Sequence, residues 1–185
     1  MKICVFCPSN SGNDGAYVQQ ANRLAELLAE RGHVLVYGGA SRGIMGHLGT
    51  TMLESKGTVI GIMPKFAVDI EVPLQGLSEL VLVDTLEDRI NEMIRTSDAF
   101  LVFPGGFGTL AEMFQVITLS AYGIHKKPVG VLNIFGYYDY LLKMVDNGLS
   151  IGFISQKRMN IITVEKDAAS LLDSMESMVH AVGGA

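Results

Sequence analysis

The stretch AFLVFPGGFGTLAEMF, residues 99–114, sets the frame for the whole chain. Five apolar residues, Ala99 to Phe103, read as a fully buried strand. Pro104 and three glycines then turn the chain into a helix expected over Thr109–Tyr122, with Leu110, Met113, Phe114, Ile117 and Ala121 facing inward at helical period. A buried strand passing directly into an amphipathic helix is the repeating unit of a parallel sheet. The alternation continues on both sides. Toward the N-terminus the expected strands are Lys2–Cys7, Val34–Tyr37, Thr58–Ile62 and Glu79–Val83, with helices at about Asp14–Arg31, from GGASRGIMG (38–46) to about Lys56, and Thr85–Ser97. Toward the C-terminus follow a strand at Pro128–Leu132, a helix at Tyr137–Asn147, a strand near Asn160–Val164 and a terminal helix from about Asp167. Residues 65–76 have no period and read as a surface loop. No linker or repeat divides the series. The reading is one α/β domain over residues 1–185, a Rossmann-like open parallel sheet with helices on both faces, and such sheets bind ligands beyond the carboxyl ends of their strands.

Composition removes other classes. With 185 residues, 49% hydrophobic and 18% charged, the chain has too much apolar surface to stay disordered. No window approaches the roughly 20 consecutive apolar residues of a membrane span. The apolar run Ile3–Phe6 is too short for a secretory signal, so a cytoplasmic location is expected. Net charge is −5 and the basic residues are scattered, which argues against nucleic-acid or membrane partners and for a small ligand. Cys4 and Cys7 form a C-x-x-C, but it lies in a strand and lacks a second Cys or His pair, so two buried thiols are expected rather than a redox or zinc site. The four histidines have no ligand spacing, and none of the eight lysines stands out as a Schiff-base candidate.

The chemistry points to PGGFGTLAE, Pro104–Glu112. Its glycines let the backbone approach a ligand and turn amides outward, and the helix N-terminus adds the positive end of a dipole, so a phosphate fits. Thr109-x-x-Glu112 also reads as a capping box. The segment is not a P-loop, since no Gly-Lys-Ser/Thr occurs, and the first strand is followed by CPSNSG rather than a dinucleotide fingerprint. In TLEDRINEM (85–93), Leu86, Ile90, Met93 and Ile94 form the apolar stripe and Arg89 lies off it. On the residues alone Arg89 reads as a solvated partner of Glu92 or Asp88.

Together, ICVFCPSNSG, LVYGGASRGIMG, VIGIMPKF, SDAFLVFPGGFGTLAEMF, GIHKKPVGVLNIFGYYDYLL and GFIS resemble, in order and spacing, the Lonely Guy (LOG) type phosphoribohydrolases, often labelled lysine decarboxylases. PGGFGTLAE fits the family's PGGxGTxxE at every fixed position. The resemblance implies hydrolysis of the N-glycosidic bond of purine or cytokinin nucleoside 5′-monophosphates, AMP among them, without a cofactor or metal, by a homodimer. It implies that Gly105, Gly106, Gly108 and Thr109 hold the phosphate, that Arg89 and Glu112 are catalytic, with Glu112 acting at the ribose, and that Glu71, Phe107 and Thr118 bind the substrate. The chain departs from the family's M-H-x-R-K at Leu86, Glu87 and Ile90, has Pro8 for a glycine, and has Gln115 for a second helix carboxylate. A nucleotide-binding protein of the same fold with weakened catalysis is the alternative, and a pyridoxal-phosphate decarboxylase a third reading.

Overall fold

The computed structural model of the protein describes residues 1–183. Seven strands form one sheet: β1 (Lys2–Phe6), β2 (Val34–Tyr37), β3 (Thr58–Pro64), β4 (Glu79–Val83), β5 (Ala99–Val102), β6 (Val129–Leu132) and β7 (Ile162–Glu165). All pairings are parallel and the order is β4-β3-β2-β1-β5-β6-β7. The helices are α1 (Gly15–Glu30), α2 (Gly43–Glu54), α3 (Leu86–Thr96), α4 (Phe107–Ala121), α5 (Asp139–Ser150), the short α6 (Gln156–Met159) and α7 (Ala168–Gly183). This is the expected Rossmann-like parallel sheet. The short α6 carried no recognisable period.

Helix limits follow from local chemistry. Asp14 starts α1 by accepting from the Ala16 amide at 2.9 Å, and Gly32, at φ +68, ends it. Thr85 caps α3 by accepting from the Asp88 amide at 3.0 Å. Strand alternation then distributes side chains to two cores. Ile3, Val5 and Cys7 face one side with α1, α2 and α7, while Cys4 and Phe6 face the other with α3 and α4. Helices therefore cover both faces. The same alternation puts Cys4 and Cys7 in opposite cores, and both thiols are free and buried, as the strand context implied. Burial pushes both thiols well above their ordinary range.

Strand order reverses between β1 and β5, so the loops leaving these two neighbours diverge and leave a crevice. CPSNSG leaves β1 here and PGGFG leaves β5. Among the described residues, no helix is long and apolar enough to cross a membrane.

Candidate active site

Of the three glycines at the β5 exit, Gly105 is the crowded one. A Cβ on Gly105 would lie 2.2 Å from the Thr109 Oγ1, so only glycine fits there. Gly106 is the N-cap of α4 and has no side chain to satisfy the first amides of the helix. Among the described residues no acceptor takes the amides of Phe107, Gly108 or Thr109, and the first helical bond closes from the Leu110 amide to the Gly106 carbonyl at 3.0 Å. The helix thus begins two residues before the expected Thr109. The capping box does not form, because Thr109 is already inside the first turn and buried, and Glu112 turns to another partner.

That partner is Arg89, whose Nη2 lies 3.4 Å from the Glu112 Oε1 with side chains only 13% and 14% exposed. Arg89 is therefore not a solvated surface residue. Glu92 pairs with Arg95 instead, and Asp88 with the Thr85 hydroxyl. The guanidinium reaches inward because Gly38 leaves room: a Cβ there would sit 2.3 Å from Arg89 Nη2. Arg89 Nε is buried and has no hydrogen-bond partner among the described residues.

Glu71 completes the charged set from the loop after β3. This loop opens with a turn at Lys65–Ala67 and is tied to the β2 exit through Ser41 N to Val72 O at 2.9 Å, Leu74 N to Gly39 O at 2.9 Å and a bridge between Ala40 and Pro73. Glu71, Arg89, Gly106, Phe107, Gly108, Thr109 and Glu112 all line one cavity of about 240 Å³, with Cys7, Pro8, Ser9, Asn10 and Met45. Gly105 lies on an adjoining cavity of about 230 Å³ that shares Pro8, Asn10 and Gly106. Thr118 does not reach either. It lines a separate groove of about 580 Å³ between α3 and α4, together with Glu87, Ile90 and Gln115.

Burial raises the Glu112 carboxyl to about 7, Arg89 offsets part of this, and the nearby Glu71 adds to it. A carboxyl poised near neutrality can take or give a proton at physiological pH. Among the described residues no lysine lines this cavity. Lys127, whose pKa burial lowers, donates to the Ile94 and Ser97 carbonyls just before β5, at the far end of the strand. The lining lacks the amine that a Schiff-base cofactor requires. No cluster of three His, Cys, Asp or Glu able to hold a metal exists among the described residues.

Two expectations on packing need correction. Leu86, placed on the buried stripe of α3, is 58% exposed, and Phe114 and Ala121 on α4 are exposed as well. Period fixes a stripe's direction but not whether a neighbour covers all of it, and here the outer face of α3 and α4 is bare. Ser9, Asn10 and Met45 also line the cavity, although no chemical motif marks them in the sequence. Their one signal was position, since Ser9 and Asn10 leave the carboxyl end of β1.

Residues 45–175 match the family described as "Possible lysine decarboxylase". The chain is 43% identical over 178 residues to the cytokinin riboside 5′-monophosphate phosphoribohydrolase LOG2 of Arabidopsis thaliana, covering 96% of this chain and 84% of that protein. It is 43% identical over 175 residues to the probable cytokinin riboside 5′-monophosphate phosphoribohydrolase LOGL1 of Oryza sativa subsp. japonica, covering 95% and 78%. Among solved structures it is similar to the molybdenum cofactor binding protein of Rippkaea orientalis, with TM-score 0.73 at 21% identity over 96% of each chain. The Moco carrier protein of Chlamydomonas reinhardtii gives TM-score 0.72 at 21% identity, covering 97% of this chain and 98% of that one. Likeness at this identity is a likeness of fold.

Proposed function

Because the chain belongs to the LOG-type phosphoribohydrolase family, we propose that its cavity hydrolyses the N-glycosidic bond of purine or cytokinin nucleoside 5′-monophosphates, giving free base and ribose 5-phosphate. The carrying observation is that the Arg89–Glu112 pair and the open amides of 107–109 line the same cavity. The 5′-phosphate lies over the N-terminus of α4, where unpaired amides and the helix dipole favour an anion by about 0.3–2 kcal/mol per charge from the dipole alone. Glu112, one turn further along, faces the sugar. Departure of the base leaves positive charge on C1′ and the ring oxygen, and a carboxylate there stabilises it. Glu112 takes a proton from the attacking water as the water oxygen bonds to C1′, and the base leaves with the electron pair of the broken C1′–N bond and takes a proton from solvent, to which Glu112 returns its own. Arg89 keeps Glu112 in place and lines the cavity beside it. Phosphate binding fixes the sugar so that attack becomes effectively intramolecular.

Glu87 and Ile90, where the chain departs from the family pattern, face the α3–α4 groove and not this cavity. The catalytic pair is therefore untouched by the departure, which favours hydrolysis over binding alone. AMP is the simplest substrate of the class, and the cytoplasm the compartment. A homodimer through the groove accounts for the bare apolar residues on α3 and α4, and it is the arrangement in which Thr118 could reach a ligand, across the interface. Chromatography of a reaction with AMP or isopentenyladenosine 5′-monophosphate tests the activity. Free base and ribose 5-phosphate should appear in equal amounts, and an unchanged nucleotide at high enzyme concentration would remove the proposal.

A further inference from the structure

The turn after β6 reaches back to the phosphate loop. Residues 133–138 include Phe135 in the left-handed region at φ 55, a conformation that a side-chain-bearing residue rarely adopts. The turn is fixed by Asn133, whose Oδ1 accepts from the Tyr138 amide at 2.7 Å and whose Nδ2 donates to Asp139 Oδ1 at 2.8 Å. It delivers two neighbouring phenols to the β5 exit. The Tyr138 hydroxyl donates to the Phe103 carbonyl at 2.8 Å, and the Tyr137 hydroxyl to the Gly105 carbonyl at 2.7 Å.

The second bond falls at the most rotatable peptide of the loop. Both flanking residues are glycine, so no Cβ opposes a flip of the Gly105–Gly106 peptide plane. In a trans peptide the carbonyl and the following N–H point in opposite directions. Holding the Gly105 oxygen toward Tyr137 therefore turns the Gly106 N–H away from Tyr137. A flip would reverse this and turn a carbonyl oxygen toward a bound anion.

We propose that Tyr137 is a positioning residue for phosphate recognition: its hydroxyl latches the Gly105–Gly106 peptide with the Gly106 amide aimed at the 5′-phosphate. The inference rests on the functional reading above for where the phosphate lies. Tyr138 is fully buried and serves the fold, whereas Tyr137 is 46% exposed, so loss of its hydroxyl alone leaves the core intact.

The test is Tyr137→Phe, with Tyr140→Phe on the exposed face of α5 as the control, in calorimetric titrations with ribose 5-phosphate and in steady-state hydrolysis of AMP. The latch predicts about a tenfold weaker ribose 5-phosphate affinity and a similar rise in KM, with kcat within about twofold and the thermal midpoint unchanged. Tyr140→Phe should match the wild type. Unchanged ribose 5-phosphate affinity in Tyr137→Phe, or a fall in kcat at constant KM, would overturn the latch. Weakened binding in the variant, with no base released by the wild type, would uphold the latch and remove the hydrolase reading.

Discussion

The chain has two glycine-rich turns from strand to helix, GGASRGIMG at the start of α2 and PGGFGTLAE at the start of α4, and they use their glycines in opposite ways. At α2 the first amides are already spent: Ile44 N donates to Asn10 O and Met45 N to Pro8 O, both at 3.2 Å. Gly43, at φ +60, presses so closely on the β1 exit that a Cβ would lie 2.3 Å from Ser9 C. This turn ties two loops together and makes room for Arg89. At α4 the corresponding amides have no protein acceptor among the described residues, and a Cβ on Gly106 or Gly108 would meet nothing within 4 Å. Glycine content does not mark an anion site. Unspent amides beside empty space do.

The largest effect expected from this contrast is chemical. Glu112→Gln keeps the shape of the α4 turn but removes the base, and base release should fall by about a hundred- to ten-thousandfold with ribose 5-phosphate affinity retained. Single-turnover assays at saturating AMP measure it. The next effect separates the two turns directly. Gly43→Ala should cost about 1–3 kcal/mol in urea unfolding, from the left-handed backbone and the clash with Ser9 and Asn10. Gly108→Ala should instead stabilise the protein by about 0.5–1 kcal/mol through helix propensity, while raising KM because its methyl projects into open space beside the phosphate. Stabilisation by Gly43→Ala, or an unaltered KM in Gly108→Ala, would erase the distinction.

The pH dependence follows from Glu112, whose carboxyl is raised from 4.5 to about 7 by burial first. A base must be deprotonated, so kcat/KM should climb with pH up to about 7 and level off above it. For stability the sign is reversed. A carboxyl with a raised folded pKa contributes stability that is complete below about 4.5 and is lost as pH rises through about 7. The unfolding free energy of Glu112→Gln relative to wild type should therefore move in favour of the variant by up to about 3 kcal/mol between pH 4.5 and pH 8. A flat difference across that range would place Glu112 in solvent.

Much of the fold and of the phosphate loop is legible in the sequence. Each strand announced itself as a short apolar or β-branched run, and PGGFGTLAE carried its own context of buried strand, glycines and amphipathic helix. What the chain order hides is contact between distant segments. Arg89 had two plausible partners within four residues, and nothing local distinguishes that arrangement from one in which α3 lies beside α4 and Glu112 becomes the partner. Thr109-x-x-Glu112 satisfied a capping pattern, yet Gly106 ended the extended chain first and drew Thr109 into the helix. Tyr137 lies 32 residues after Gly105, and its role exists only because β5 and β6 are adjacent.

The backbone amide spectrum of isotopically labelled protein, recorded during titration with ribose 5-phosphate, tells the two turns apart. Large saturable shifts are expected at Phe107, Gly108 and Thr109, with little change at Ile44 and Met45, whose amides already have acceptors. Shifts confined to the α2 turn, or none at the start of α4, would contradict the placement of the phosphate over α4.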